Sequence, residues 1–94
     1  MAKNESKPHR PLYEIAAEVR SDWEKVYFGA EPYLDAMSSL NQVGDNYGMD
    51  TGDSIVRYFL SNAATWRGEV AKRVKNELKK LFHDFFKKSL KKIL

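Results

Sequence analysis

From Glu69 to the last residue, apolar positions recur in fours: Val70, Val74, Leu78, Phe82, Phe86, Leu90 and Leu94. That spacing is foreign to a strand, whose faces alternate at every second residue, and it asks for an α-helix. A helix with 3.6 residues per turn drifts by about 40° for each step of four. Over six such steps the stripe winds through about 240°, and no flat surface can cover all of it. Either the helix breaks, with Asp84 capping a short second piece, or it stays whole and its two halves face different surroundings. Unbroken, it would be about 39 Å long. A compact domain of this size has a radius of gyration near about 13 Å, so the end is expected to project unless it folds back.

Charge gathers in the same segment. Residues 1–71 hold seven Lys/Arg against eleven Asp/Glu, a balance of −4, whereas residues 72–94 hold nine against two, a balance of +7. The net charge of +3 therefore conceals a mildly acidic body with a basic end. The chain has 94 residues and no cysteine, which fits one domain without disulfide or thiolate chemistry. Its first ten residues are polar, without the apolar centre of a signal peptide, and no run approaches the about 20 apolar residues of a membrane span. A cytoplasmic location is expected.

Helical spacing recurs upstream. Pro11 suits a first helical position, and Leu12, Ile15, Ala16, Val19, Trp23 and Val26 predict a helix over Pro11–Tyr27 that stops near Gly29. Tyr33, Ala36, Met37 and Leu40 mark a shorter second helix with Pro32 in its first turn, and Asn41 and Gly44 act as stop signals. The segment from Asn41 to Ser54 is rich in glycine, aspartate and asparagine and reads as loop. Asp50 or Thr51 is placed to cap a third helix over Gly52–Ala64, carried by Ile55, Val56, Phe59, Leu60 and Ala63. Thr65 is placed to cap the last helix. Nothing alternates with period two, so no strand is expected. The predicted fold is all-α: a compact bundle of three to four helices with a long, basic, amphipathic C-terminal helix. Residues 1–10 are expected to form a disordered leader, 11–81 the helical domain and 82–94 a basic amphipathic C-terminal helix or extension.

Several strings are specific. Leu12–Ala16, Asp22–Trp23, Val26–Leu34, Asn46–Gly48, Ser54–Val56, Tyr58–Ala63 and Thr65–Glu69 together resemble a family of small bacterial proteins carried on phages, plasmids and integrative elements. The resemblance covers about residues 12–81 and leaves out 82–94. It implies a mobile-element context, in which small inhibitors of host defence (anti-CRISPR or anti-restriction proteins) and small DNA-binding accessories are common.

No catalytic, cofactor-binding or metal-ligating constellation stands out, and a non-enzymatic protein is expected. There is no nucleophile elbow, phosphate-binding loop or zinc spacing. His83 and Asp84 are neighbours in a helix and point about 100° apart. Glu14, Glu18 and Asp22 sit one turn apart and read as a solvated face. Asp45, Asn46, Asp50 and Asp53 resemble calcium ligands in type, but Tyr47 and Met49 occupy alternate slots and no late glutamate follows.

Partner binding is better represented. Trp66 and Arg67 are residue types enriched at binding hot spots, and Gly68 beside them suggests close approach of another backbone. The alternative is that Trp66 belongs to the core. Twelve aromatic residues in 94 are many for so small a body, and Trp23, Tyr27, Phe28, Tyr33 and Tyr47 cluster around the first two helix ends; most of the twelve must be core, and a surplus is available for an exposed interaction patch. In the last helix Phe82, Phe85, Phe86, Leu90 and Ile93 offer apolar anchors in a helix-in-groove pattern. Lys72, Arg73, Lys75, Lys79, Lys80, Lys87, Lys88, Lys91 and Lys92 form a basic patch suited to phosphates. The expected partner is a protein or ribonucleoprotein. Nucleic acid bound through the basic tail and self-association stay open, as does packing of the tail on its own core. A membrane surface is the least favoured.

Overall fold

A computed structural model describes residues 9–93, with side chains over 9–87. It is mostly helical: α1 (Leu12–Asp22), α2 (Glu31–Met37), a small hairpin of β1 (Asn46–Tyr47) and β2 (Asp50–Thr51), α3 (Gly52–Ser61) and α4 (Glu69–Ile93). The expected leader lies largely at residues 1–8, outside the described residues. No described helix is long and apolar enough to cross a membrane.

In α1, Leu12, Ile15, Ala16 and Val19 are all buried, at the spacing of one helix face. Pro11 stands just before the helix, extended, and its carbonyl accepts the N–H groups of Glu14 and Ile15 at 3.0 and 3.2 Å. The first N–H groups of a helix lack partners within it. Here Leu12 and Tyr13 donate theirs to the carbonyls of Asn41 and Leu40, at 2.8 and 3.0 Å. The start of α1 is thereby tied to the chain leaving α2. Its end falls at Asp22, five residues before the expected Tyr27. Trp23 continues the apolar stripe but leaves the helix in extended conformation, because its ring turns inward onto Trp66.

The expectation of no strand is corrected by the hairpin, in which Asn46 pairs with Thr51 and Tyr47 with Asp50. Two residues per strand are too few for alternation to show. Gly48, at φ 62°, makes the turn. The preceding loop is built by Asp45, whose carboxylate accepts the N–H groups of Asn41 and Gln42, both at 3.0 Å. Its carbonyl accepts the Gly52 N–H at 2.7 Å. Gly52 opens α3 so close to this loop that a Cβ there would sit 2.8 Å from the Val43 carbonyl oxygen and 2.9 Å from that of Gln42.

Thr51 occupies the N-cap of α3 but makes no capping bond; its hydroxyl lies 3.1 Å from that of Ser54. Helix α3 ends at Ser61, three residues before the expected Ala64. There the Ser61 hydroxyl and the Asn62 amide donate to the Arg57 and Tyr58 carbonyls, at 3.1 and 2.9 Å. Such side-chain bonds compete with continuation of the helix. The start of α4 is set by Gly68 and not by a Thr65 cap. Gly68 has φ 110° and its carbonyl accepts the Lys72 N–H at 3.0 Å. A Cβ at Gly68 would meet nothing within 4 Å, so this glycine serves its backbone angle and not the expected close approach.

Helix α4 is unbroken over 25 residues, and Asp84 caps no second piece. Its buried side is Ala71, Val74, Leu78 and Leu81, with Phe85 packed partly against the core. Those steps of three and four keep a constant bearing, whereas the strict four-step row meets the core from Val70 to Leu78 and has drifted off it at Phe86. At about 37 Å, α4 runs most of the molecule's 42 Å longest extent. It packs on α1 and α3, while α2 packs on both of those. The domain boundary expected at 81/82 falls inside α4, and the seam with the core continues to Phe85.

Replacing Gly52 by alanine is expected to destabilise the fold by about 1–3 kcal/mol, because the obstacle is backbone and cannot swing away. A lower urea midpoint at unchanged slope would show it.

Candidate functional site

Of the two hot-spot residues expected in the α3–α4 connection, Trp66 is 2% exposed and belongs to the core. It stacks on Trp23 at 5.7 Å and 14°, and meets Phe59 edge-on at 6.5 Å. Its indole N–H donates to the Asp22 carboxylate at 2.8 Å. Arg67 next to it is exposed. Lys75 reaches back from α4, its ammonium 2.7 Å from the Trp66 carbonyl oxygen and 5.9 Å from the indole centroid. Burial lowers the Lys75 pKa from its ordinary value, and the nearby cations of Lys79 and Arg67 push the same way.

Two members of the expected basic patch, Arg73 and Lys80, are paired with carboxylates. Arg10 bridges α1 and α4, donating to Glu77 at 2.7 and 2.9 Å and to Glu18 at 2.8 Å. Glu18 also accepts from Arg73 at 2.5 Å. The Arg73 hydrogen bond and then that of Arg10 hold the Glu18 carboxyl below the usual carboxylate range. Hydrogen bonding to Glu77 is the main cause raising the Arg10 guanidinium above its ordinary value. Glu18 is thus committed to arginines, which disposes of a cation site with Glu14 or Asp22. His83 and Asp84 do not pair; Asp84 faces His9 at 3.2 Å and Lys80 at 3.5 Å. Burial pushes the Asp84 carboxyl up, but Lys80, His9 and His83 outweigh it and leave it lowered. Lys72, Lys79 and Lys87 are exposed and take no salt bridge among the described residues. No group of three potential metal ligands occurs among those residues.

The expected apolar anchors of α4 divide. Phe85 packs partly on the core, close to Gly44. Phe82 lies under the Arg57 guanidinium, 5.6 Å from it, and its ring meets Phe86 edge-on at 4.8 Å. Phe86 is 43% exposed. The side chains of Leu90, Ile93, Lys88, Lys91 and Lys92 lie outside the described residues.

The more open aromatic surface lies at the α1–α2 corner. Tyr27 and Phe28 pair at 5.0 Å, and Phe28 is 79% exposed. Gly29 makes room for this arrangement: a Cβ there would sit 2.5 Å from the Tyr27 ring and 2.9 Å from the Asn62 amide oxygen. Tyr27, Ser61, Asn62, Ala64 and Thr65 line an open groove of about 240 Å³, whose exposed lining is almost wholly apolar. Tyr58, one turn before Ser61 and Asn62 on the same side of α3, packs on Tyr33 at 5.4 Å. Tyr27 and Phe28 thus stand at the groove itself, and Tyr58 and Tyr33 form a second aromatic pair one turn away along α3. The aromatic surplus in the sequence pointed to Tyr27, Phe28 and Tyr33. Tyr58 was hidden among the core positions of α3; the signal for it was its place beside Phe59, about 100° off the buried stripe. Comparison with protein-family models, with curated proteins and with solved structures finds no match to this chain.

The depressed Glu18 pKa has a definite sign. Its contribution to stability is present above the unfolded-state pKa and is lost as pH falls through the lower folded-state value. Urea midpoints measured in pH steps below about 4.5 should decline, and Glu18→Gln should flatten that decline while lowering stability at neutral pH by about 1 kcal/mol.

Proposed function

We propose that this chain is a non-enzymatic binding protein that engages a protein or ribonucleoprotein target in stoichiometric fashion through the aromatic surface of Phe28, Tyr27, Tyr58 and Tyr33. The observation that carries the reading is the exposed Tyr27–Phe28 pair beside an apolar groove. Burying a phenylalanine ring is worth about 1.5–3 kcal/mol, and Phe28 withholds most of that in the free protein. Aromatic anchors set around a pocket are the usual carriers of interface energy. The residues that line the groove carry no charge, which suits a protein surface better than a polyanion.

The finer architecture belongs to the same proposal. The helices act as a compact bundle in which α4 is the basic amphipathic member, its Val74 and Leu78 seated in the core and Lys72, Lys79, Lys80 and Lys87 outward. Such a base would hold the aromatic surface in one shape, so that little order has to be gained on binding. The resemblance of residues 12–81 to proteins of mobile elements supplies the setting: an accessory of the counter-defence type, acting against a CRISPR or restriction complex.

Tagged protein is expected to retain a near-equimolar partner from lysates of cells with active CRISPR or restriction systems. The Phe28→Asp variant should bind that partner about tenfold more weakly or worse, with an unchanged helical circular dichroism spectrum. Absence of a stoichiometric partner, or equal retention by the variant, would overturn the reading.

A further inference from the structure

Lys72, Lys75, Lys79, His83 and Lys87 follow one another along α4 at steps of three and four. That spacing places them along one side of the helix, within about 120° around its axis and over a length of about 22 Å. Like charges one helical turn apart weaken a helix, so the arrangement needs something to offset it. The acidic neighbours at three or four residues are Glu69 beside Lys72 and Asp84 beside Lys87, at the two ends. Asp84 is turned toward His9 and Lys80. Between the ends no carboxylate interrupts the row. The other cations of the helix behave differently: Arg73 is committed to Glu18 and Lys80 to Asp84. Lys75 is anchored on the Trp66 carbonyl, which fixes the row to the body of the domain.

We infer that this row is a binding surface for the phosphodiester backbone of a nucleic acid, separate from the aromatic surface proposed above. Charge complementarity selects the occupant. A row of lysines along one side of a helix matches a line of phosphates, and release of condensed counterions supplies the driving force. An anionic membrane would need an apolar face beside the cations. Along this helix Ala71, Val74, Leu78 and Leu81 are already spent on the core and Phe82 lies under Arg57, which leaves Phe86 as the one exposed ring of the helix among the described residues, too little for such a face. Nothing in the row reads base edges in the manner of a bidentate arginine, so recognition is of the backbone and independent of sequence.

The test is fluorescence anisotropy of the full chain with short labelled duplex DNA, single-stranded DNA and duplex RNA, between about 50 and about 200 mM salt. Binding to at least one probe is expected, with affinity falling steeply as salt rises; the preferred probe identifies the nucleic acid. Lys79→Gln should reduce the slope of log affinity against log salt by about one, and Lys72→Gln/Lys79→Gln/Lys87→Gln by about three. Lys25→Gln, the same charge change on the α1–α2 connection, should leave the slope unchanged, as should Phe28→Asp. No binding at about 50 mM salt, equal slopes for Lys79→Gln and Lys25→Gln, or binding confined to phosphatidylserine vesicles would each overturn the inference.

Discussion

Trp66 sits between the flat face of Trp23 and the edge of Phe59, with its N–H on Asp22 and its carbonyl under Lys75. Most of the chain's geometry follows from that one seat. Helix α1 has to stop at Asp22 so that Trp23 can turn in and Asp22 can accept the indole proton. Helix α3 contributes Phe59 and then ends, and the connection that carries Trp66 leads into α4. Aromatic pairs add about 0.5–1.5 kcal/mol beyond the area they bury, and the indole N–H is satisfied by a carboxylate and not left dry. Trp66, a residue that the sequence offers to a partner, is in this way the joint between helices α1, α3 and α4.

Charge is sorted by the same packing. Where α4 lies against α1, its cations and those before α1 are drawn into a network of Arg10, Glu18, Arg73 and Glu77. Where α4 turns to solvent, Lys72, Lys79 and Lys87 have no such partners among the described residues. A helix with more lysine than its neighbours can neutralise keeps one charged edge. The apolar surplus is sorted likewise: the core takes Trp23, Phe59 and Trp66, and the corner between α1 and α2 is left with Tyr27 and Phe28 outside. Met49, 99% exposed at the hairpin turn, is a further outlying apolar side chain. The aromatic surface and the cationic row differ in chemistry, and a ribonucleoprotein would present surfaces to suit both.

Much of this was written in the order of residues. The apolar spacing of Leu12, Ile15, Ala16 and Val19, and of Ile55, Val56 and Phe59, needed only the period of a helix to be read, and Pro32 marked a helix start by its backbone preference. The charge asymmetry, the surplus of aromatics and the unbroken apolar row of α4 were legible for the same reason: each depends on neighbours within a turn or two. Helix ends were less so. Neither Tyr27 nor Ala64 is a poor helix residue, and both helices stop early because of contacts made elsewhere in the chain.

Which residues would be free to meet a partner was decided only by the tertiary structure. Trp66 and Phe28 look alike in composition, yet one is sealed in the core and the other stands in water. The difference lies in what comes across from α1 and α3. Arg73 and Lys72 are adjacent, and only the arrival of Glu18 separates a paired cation from an open one. Local periodicity determined that the chain is mostly helical and that its last helix is long. Long-range packing decided which side of that helix is core and which is surface, because burial and pairing depend on residues dozens of positions away.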